Sequence, residues 1–423
     1  MSAVPKSFDG RRPAQPISGV SFLTRQPAYN ASDFLPNNVM NFKIPGHLSS
    51  QFLDASSSYL KFKVTNKSGA QGTSSTFTLG PAGSGNLIQK VQVSQAGNTI
   101  VSHSDYGKWR AMETALTADS SYYEGQGKSL AGVHTLQHGQ TIANGASEVF
   151  VEPLSFHGSL FGQAKVLPMS GMEIDLSYTL GSAEYGGSWG TGHVPQSSWL
   201  EVTEVELCLQ CVQLSDQSAA MLRKMNPNWS ILTKAVGTYH HAVDSGISNH
   251  SINLGANYSQ VLGYDFVFTD QTADQYESQN NTMFIQNNLK KHNLQVDGVL
   301  VENGRSVNCD NPAEIVAFNA IERGILAKTS GLPSLLGPTN VLAQNTAGCI
   351  FSQSLEIFKA SCSGFANYSK ENFCTGRSTI SSSVVLGLEF APSSAAKCNI
   401  TTFVKYAQLI SYDDEHKLFR ISQ

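Results

Sequence analysis

Residues 151–180 read VEPLSFHGSLFGQAKVLPMSGMEIDLSYTL, and the periodicity of this stretch decides the fold. Its second half alternates without a slip. Met172, Ile174, Leu176, Tyr178 and Leu180 are apolar, while Glu173, Asp175, Ser177 and Thr179 are polar. A period of two belongs to a half-buried strand. On a helix the same residues would spread around the whole cylinder. The first run, VFVEPLSF, is also strand-like and ends beside His157. Two strands joined by a link marked with Gly and Pro and nearly free of charge predict an antiparallel sandwich.

Composition agrees. Hydrophobic residues make up 40% of the 423 and charged residues 14%, against roughly 25% charged in an average soluble protein. Gly, Ser, Asn and Thr fill the gap, which suits many short strands and turns and is poor in the residues that decorate exposed helices. The length allows two cores. A net charge of −4 carries no nucleic-acid footprint. Residues 1–45 hold Lys6, Arg11, Arg12, Arg25 and Lys43 against Asp9 and Asp33, a net of +3, far sparser than a polybasic packaging arm. MSAVPKSFDG has no apolar core of a secretory signal, and no apolar run reaches membrane-spanning length. The seven cysteines are odd in number, and the first of them is Cys208; an odd count in a chain this size argues against a disulfide framework.

Along the chain, residues 1–30 lack periodicity and are expected to form an extended arm, ordered only when something binds it. Strands follow at 39–46, 58–66, 86–104, 172–180 and 199–215, with a hairpin turn at Gln95-Ala96-Gly97-Asn98 and a helix over 105–125. After a hinge at 216–228 a second cycle runs through 228–243, 250–270, 294–304, 349–358, 382–391 and 401–411. Its helix, 310–326, opens with Asp310 or Asn311 as cap and Pro312 at the first turn, and Gly324 weakens its end. Residues 327–348 form a long irregular loop, of the kind that is functional or exposed at an interface. Each half thus holds roughly six to eight strands and one helix in about 200 residues, one sandwich's worth. The halves share architecture and no evident sequence identity.

The candidate chemical signals are weak. Cys208 and Cys211 have metal-ligand spacing, yet they lie in a strand where an odd separation sends the thiols to opposite faces, and no second pair exists. His240 and His241 face apart for the same reason, and His250 completes no ligand set; a pH-sensitive contact is their other reading. Gly80, Gly83 and Gly85 mimic a phosphate loop but lack the Lys-Ser/Thr pair and the helix behind it, which leaves a turn. Glu173 and Asp175 share a strand face and read as its polar side. No catalytic, cofactor-binding or metal residue is assigned, and no enzyme is expected.

One order of residues carries a resemblance. Val151, Pro153-Leu154, Phe156, Leu160-Phe161-Gly162, Leu167-Pro168 and Gly171 to Leu176 run in the sequence of an apolar strand, Pro-Leu, a short Gly/Phe loop, Leu-Pro and Gly-Met-Glu-Ile. Asn38 to Lys63, the LIQKVQVSQAGNTI hairpin and the strand WLEVTEVELCLQCVQLS agree with it. This pattern resembles the double jelly-roll major capsid proteins of icosahedral DNA viruses: large nucleocytoplasmic viruses, virophages, and Polinton-like and adintovirus-like elements. It covers the first half by motif and the second by strand layout alone; the 310–326 helix and 327–348 loop match no part of it. The resemblance implies an all-β chain of two consecutive eight-stranded antiparallel jelly-roll barrels, at 31–218 and 219–423, each with at least one short inserted helix, behind the arm 1–30.

It further implies a homotrimer forming a pseudo-hexameric capsomer in the shell of a virion, made in the host cytoplasm or nucleus. Expected partners are neighbouring capsomers and penton or minor capsid proteins, with no cofactor and no sequence-specific nucleic-acid binding. The arm would clamp a neighbouring capsomer or else face an internal membrane or the genome. Rival readings are a single jelly roll with a projecting β domain, a trimeric receptor-binding spike, and a sandwich-fold glycan hydrolase.

Overall fold

The alternation at Ile174–Leu180 becomes one strand among many in a computed structural model, which describes residues 19–46, 50–71, 75–162, 166–171, 173–190, 195–225, 229–270, 283–301, 305–322, 341–342, 347–356, 376–391, 396–413, 416 and 418–422. The strands of the first half are β1 (Gly19–Pro27), β2 (Val39–Ile44), β3 (Gln51–Asn66), β4 (Ile88–Gln95), β5 (Asn98–Ser104), β6 (Ser147–Pro153), β7 (Ile174–Leu180) and β8 (Leu200–Leu214). Those of the second are β9 (Ser230–Val243), β10 (Asn249–Leu254), β11 (Val261–Asp270), β12 (Leu289–Val296), β13 (Val299–Leu300), β14 (Phe351–Ser354), β15 (Val384–Phe390) and β16 (Cys398–Asp413).

Each set of eight forms two four-stranded sheets. In the first half the hydrogen-bonded orders are β1-β8-β3-β6 and β2-β7-β4-β5; in the second they are β9-β16-β11-β14 and β10-β15-β12-β13. All pairings are antiparallel. The second pair of sheets repeats the first strand for strand, which is jelly-roll topology twice over. Short extra strands, Leu167–Pro168, Val307–Asn308 and Leu418–Ser422, flank these sheets, and Phe77–Leu79, Thr141–Ile142 and Gly187–Trp189 form a small sheet of their own.

The core follows from the alternation. Leu60, Phe62 and Val64 of β3, Val91 and Val93 of β4, Leu176 and Tyr178 of β7, and Leu207 and Leu209 of β8 are fully buried. Phe266, Phe268, Leu294, Phe351, Leu386 and Val404 fill the second barrel, and one continuous apolar cluster joins the two. Both barrels carry the same hairpin. Ala96 and Gly97 (φ 51° and 81°) turn β4 into β5, and Asp297 and Gly298 (φ 53° and 76°) turn β12 into β13. Positive φ at both central positions is the turn whose twist matches two paired strands.

Several expectations change. Residues 19–27, read as part of an arm, pair along their length with β8 as an edge strand, because β8 has a free side left after β3. The run 250–270 breaks at Gly255 into two strands belonging to different sheets. The 58–66 strand starts earlier, at Gln51, and spans 16 residues; the Asp54 carboxylate ties down Ser56 and Ser57 at a register break, which disguised the strand as a Ser-rich loop. Helix α1 is Tyr106–Thr117, and Asp119 caps a separate short helix after it. The hinge contains helix α2 (Asp216–Met225), whose first turn is capped by the Ser215 hydroxyl. Helix α3 is Pro312–Glu322, and Gly324 with most of the 327–348 loop lies outside the described residues, as do Met172, Cys362 and Cys374. Among the described residues no helix is long and apolar enough to cross a membrane.

Two glycines make a stability test. A Cβ on Gly83 (φ +59°) would sit 2.0 Å from the Ala131 carbonyl oxygen, whereas one on Gly97 (φ +81°) would meet nothing within 4 Å. Gly83→Ala is expected to cost at least about 2 kcal/mol in denaturant unfolding. Gly97→Ala should cost about 1 kcal/mol, the backbone strain alone. Equal losses would contradict this packing.

Candidate functional site

The residues singled out in sequence do not converge. Cys208 and Cys211 are both buried, with Cys208 opposite Tyr59 and Cys211 opposite Leu53. Burial raises both thiol pKa values, and it also pushes up Cys309, Cys349 and Cys398, the last to about 12. These are inert thiols. His240 is largely exposed and its Nδ1 lies 3.5 Å from Asp105. His241 is on the other face, where burial and then His250 and His240 lower its pKa. Glu173 takes Lys43 in an exposed ion pair at 2.9 Å, and Asp175 adds to the field at that lysine. Among the described residues no three His, Cys, Asp or Glu side chains gather as metal ligands.

What the fold does build is a joint between the barrels, made by α1. Its consecutive residues look opposite ways. Towards the second barrel, the Trp109 ring packs edge-on against Phe403 of β16 at 5.6 Å between centroids. Lys108 donates to the Thr401 hydroxyl at 3.3 Å and pairs with Asp105 at 3.1 Å. Asp105 has a left-handed backbone (φ 55°), which Asp tolerates, and so stands between Lys108 and His240 of β9. The Thr238 hydroxyl donates to the Ser104 carbonyl at 3.1 Å.

Towards the first barrel, Arg110 and Glu152 form an ion pair at 3.0 Å in which both side chains are 0% exposed. Burial disfavours the guanidinium charge, and Glu152 more than offsets this, with Tyr122 and Tyr106 adding to it, so the pKa of Arg110 is raised. Glu152 accepts from Arg110 Nε, from the Tyr106 hydroxyl at 2.8 Å and from Ser84 at 3.1 Å. Arg110 also donates to Thr114 and Tyr122, and its guanidinium lies 3.4 Å from the centre of the Phe156 ring. The phosphate-loop lookalike finds its role here. A Cβ on Gly85 would meet Arg110 Cγ at 2.6 Å and Glu152 Oε1 at 3.3 Å, so the glycine leaves room for the pair.

The segment after β6 completes the joint. The Ser159 N–H donates to the Lys234 carbonyl at 2.9 Å and the Thr233 hydroxyl donates back to the Ser159 carbonyl at 3.0 Å, which covers the free edge of β9. Gln408 of β16 donates to the Ile100 carbonyl at 3.3 Å and also bonds the Ser159 hydroxyl. Lower down, the Phe419 N–H donates to Gln95 at 2.8 Å. A second buried cluster holds α3: Lys405 of β16 sits between Asp265 of β11 and Glu322 of α3.

Two eight-stranded barrels of one strand order, locked side by side, decide the architecture. The chain is a double jelly roll. No family model matches the sequence, and no curated protein matches it. Solved structures do match over nearly the whole chain. The VP54 protein of PBCV-1, fitted into a reconstruction of the virophage Sputnik, is 12% identical with a TM-score of 0.65, covering 98% of this chain and 99% of that one. The Faustovirus major capsid protein is 8% identical with a TM-score of 0.59, covering 95% and 92%. The mavirus major capsid protein is 9% identical with a TM-score of 0.51, covering 100% and 95%. Because both halves are jelly rolls, the reading with one barrel and a projecting β domain is set aside.

The sequence contained Arg110, Glu152 and Ser159 without marking them: each looked like ordinary strand or helix polarity. Arg110 lies 42 residues from Glu152, and Gln408 lies 249 from Ser159. Only the Gly-rich LGPAGSGN hinted at a close approach.

Two predictions follow from this geometry. Arg110→Met should lower stability by about 3–5 kcal/mol, because Glu152 would stay buried without its counter-charge. Adding Glu152→Leu should recover part of that loss in a double-mutant cycle; additive losses would contradict the pair. The second concerns three buried histidines. Burial lowers His103 to about 4 and His157 and His292 to about 3. The unfolded chain takes up these protons near 6.5 while the folded chain does not, so stability is full above that pH. It is lost at about 1.4 kcal/mol per pH unit per histidine as pH falls from 6.5 towards 4. Melting temperature should fall over that window, and His292→Phe should flatten the slope; a melting temperature constant from pH 6.5 to 4 would contradict it.

Proposed function

We propose that this double jelly roll is the major structural subunit of an icosahedral virion, a homotrimer forming pseudo-hexameric capsomers that tile a shell. The observation that carries the reading is the duplicated barrel with its welded joint. A building block that must fill hexagonal positions with three chains has to present two similar faces from one rigid body. The Arg110–Glu152 cluster supplies the rigidity at the joint, since α1 spans both barrels and cannot shift without exposing buried charge, and the Lys405 cluster fixes α3 within the second barrel. That the matched folds include the major capsid proteins of Faustovirus and mavirus supports it.

On this reading the chain is structural, with no catalytic role, and acts in the virion. Its partners are neighbouring capsomers and penton or minor capsid proteins. The arm ahead of β1 clamps an adjacent capsomer, with contact to an internal membrane or the genome as its other role. Light scattering coupled to size exclusion, followed by negative-stain imaging, tests it: trimers that tile at high concentration are expected. A trimer that never tiles would favour a spike, and a monomer at every concentration would overturn the reading.

A further inference from the structure

The cluster that holds α3 in the second barrel contains more chemistry than an ion pair needs. Lys405 of β16 stands opposite Gly263 of β11, and Asp265, two residues further along β11, lies on the same face. Such a diagonal pair is within reach of a long side chain, and Lys405 Nζ is 2.7 Å from Asp265 Oδ2. From α3, Glu322 Oε1 comes to 2.5 Å from the same nitrogen. The side chains of Lys405, Asp265 and Glu322 are 1%, 0% and 3% exposed. Gly263 makes this approach possible, because a Cβ there would meet Glu322 Oε1 at 3.0 Å and Cγ at 3.3 Å.

The lysine is held differently from Arg110. Arg110 spends its N–H groups on directed hydrogen bonds to Glu152, Thr114 and Tyr122. Lys405 Nζ is crowded by two carboxyl groups and yet makes no contact with hydrogen-bond direction among the described residues. A buried amine against a carboxyl group, with a second carboxyl beside it, has the makings of a nucleophile, an electrophile and a base. Asp265 is steadied as the electrophile: Ser352, directly opposite it on β14, donates to its other oxygen, Oδ1, at 2.6 Å. Phe403, opposite Asp265 on β16, is fully buried against Trp109 of α1, which closes that side of the site.

We infer that Lys405 and Asp265 join in an intramolecular amide bond, formed in the folded chain with Glu322 carrying the proton. One proton first passes from Nζ to Oδ2, which exchanges two buried charges for none. The amine lone pair then attacks Asp265 Cγ, and the Nζ–Cγ bond forms. The Ser352 hydroxyl stabilises the charge that develops on Oδ1. The Glu322 carboxylate takes a second proton from Nζ and hands it to Oδ2. The Cγ–Oδ2 bond breaks and water leaves. Glu322 ends as it began, and nothing is oxidised or reduced. The bond ties β11 to β16 and closes the chain from Asp265 to Lys405 into one loop. A cross-link of this kind restrains the unfolded chain. It does so without thiols, and the five cysteines among the described residues are all free. An amide also survives the reducing conditions in which a disulfide opens.

Mass spectrometry of the denatured wild-type chain decides the matter and needs no variant to fold. Digestion should give a branched peptide joining Asp265 to Lys405, lighter by one water than the two linear peptides that make it. The intact chain should show the same loss. Asp265→Ala should keep its full mass, and so should Glu322→Gln, with a cooperative thermal melt to show that each is folded. A wild-type chain that yields only the two linear peptides, or a water lost from any other pair, would overturn the bond. A folded Glu322→Gln chain that loses water as completely as the wild type would overturn the role given to Glu322. None of these readings depends on whether the protein trimerises, so the capsomer reading stands or falls separately.

Discussion

The Arg110–Glu152 pair is the constraint on which the joint depends. Removing two charges from water costs several kcal/mol per ion, and attraction offsets this only when the remaining hydrogen-bonding capacity is filled. Here Tyr106 and Ser84 fill it on the carboxylate and Thr114 and Tyr122 on the guanidinium. The pair sets the depth and rotation of α1 in the first barrel. That setting points Trp109 at Phe403 and Lys108 at Thr401, one and two residues before Arg110 in the same turn. The glycine at 85 belongs to the same unit, because any side chain there would displace the arginine.

A double barrel joined in this way behaves as one body. The hydrogen bonds across it involve backbone as well as side chains, at Ser159 and Lys234 and at Phe419 and Gln95, so they do not depend on mobile surface groups. Three surface ion pairs form a ladder elsewhere, along β3 and β8: Lys61 with Glu206, Lys63 with Glu204, and Lys67, just past β3, with Glu201. Such exposed pairs contribute little energy each, but they keep that face of the first barrel polar.

Much of the fold was legible in the residues. The alternation from Ile174 to Leu180, the Ala96-Gly97 turn and the Pro312 helix start each depend on local geometry, which a sequence displays directly. Strand β1 was missed because an edge strand with both faces exposed has no periodic demand on its side chains. The joint was hidden for a different reason. Glu152 stands where a polar residue fits the alternation of its strand, and Arg110 sits on a helix that a single barrel would leave half-solvated. Their burial arises inside the first barrel, where β6, Ser84 and Tyr122 close over the pair from places far apart in the sequence. The outcome for Cys208, Cys211 and the histidines was foreseeable from strand parity, since adjacent or odd-spaced residues cannot converge.

The central claim is that two jelly rolls stand side by side in each chain to make a six-barrelled unit from three copies. Electron cryomicroscopy of the purified assembly tests this most directly. The account predicts six barrel densities in one ring around a three-fold axis. Three barrels in a ring with three standing clear of it, or pairs of barrels with no common axis, would contradict it.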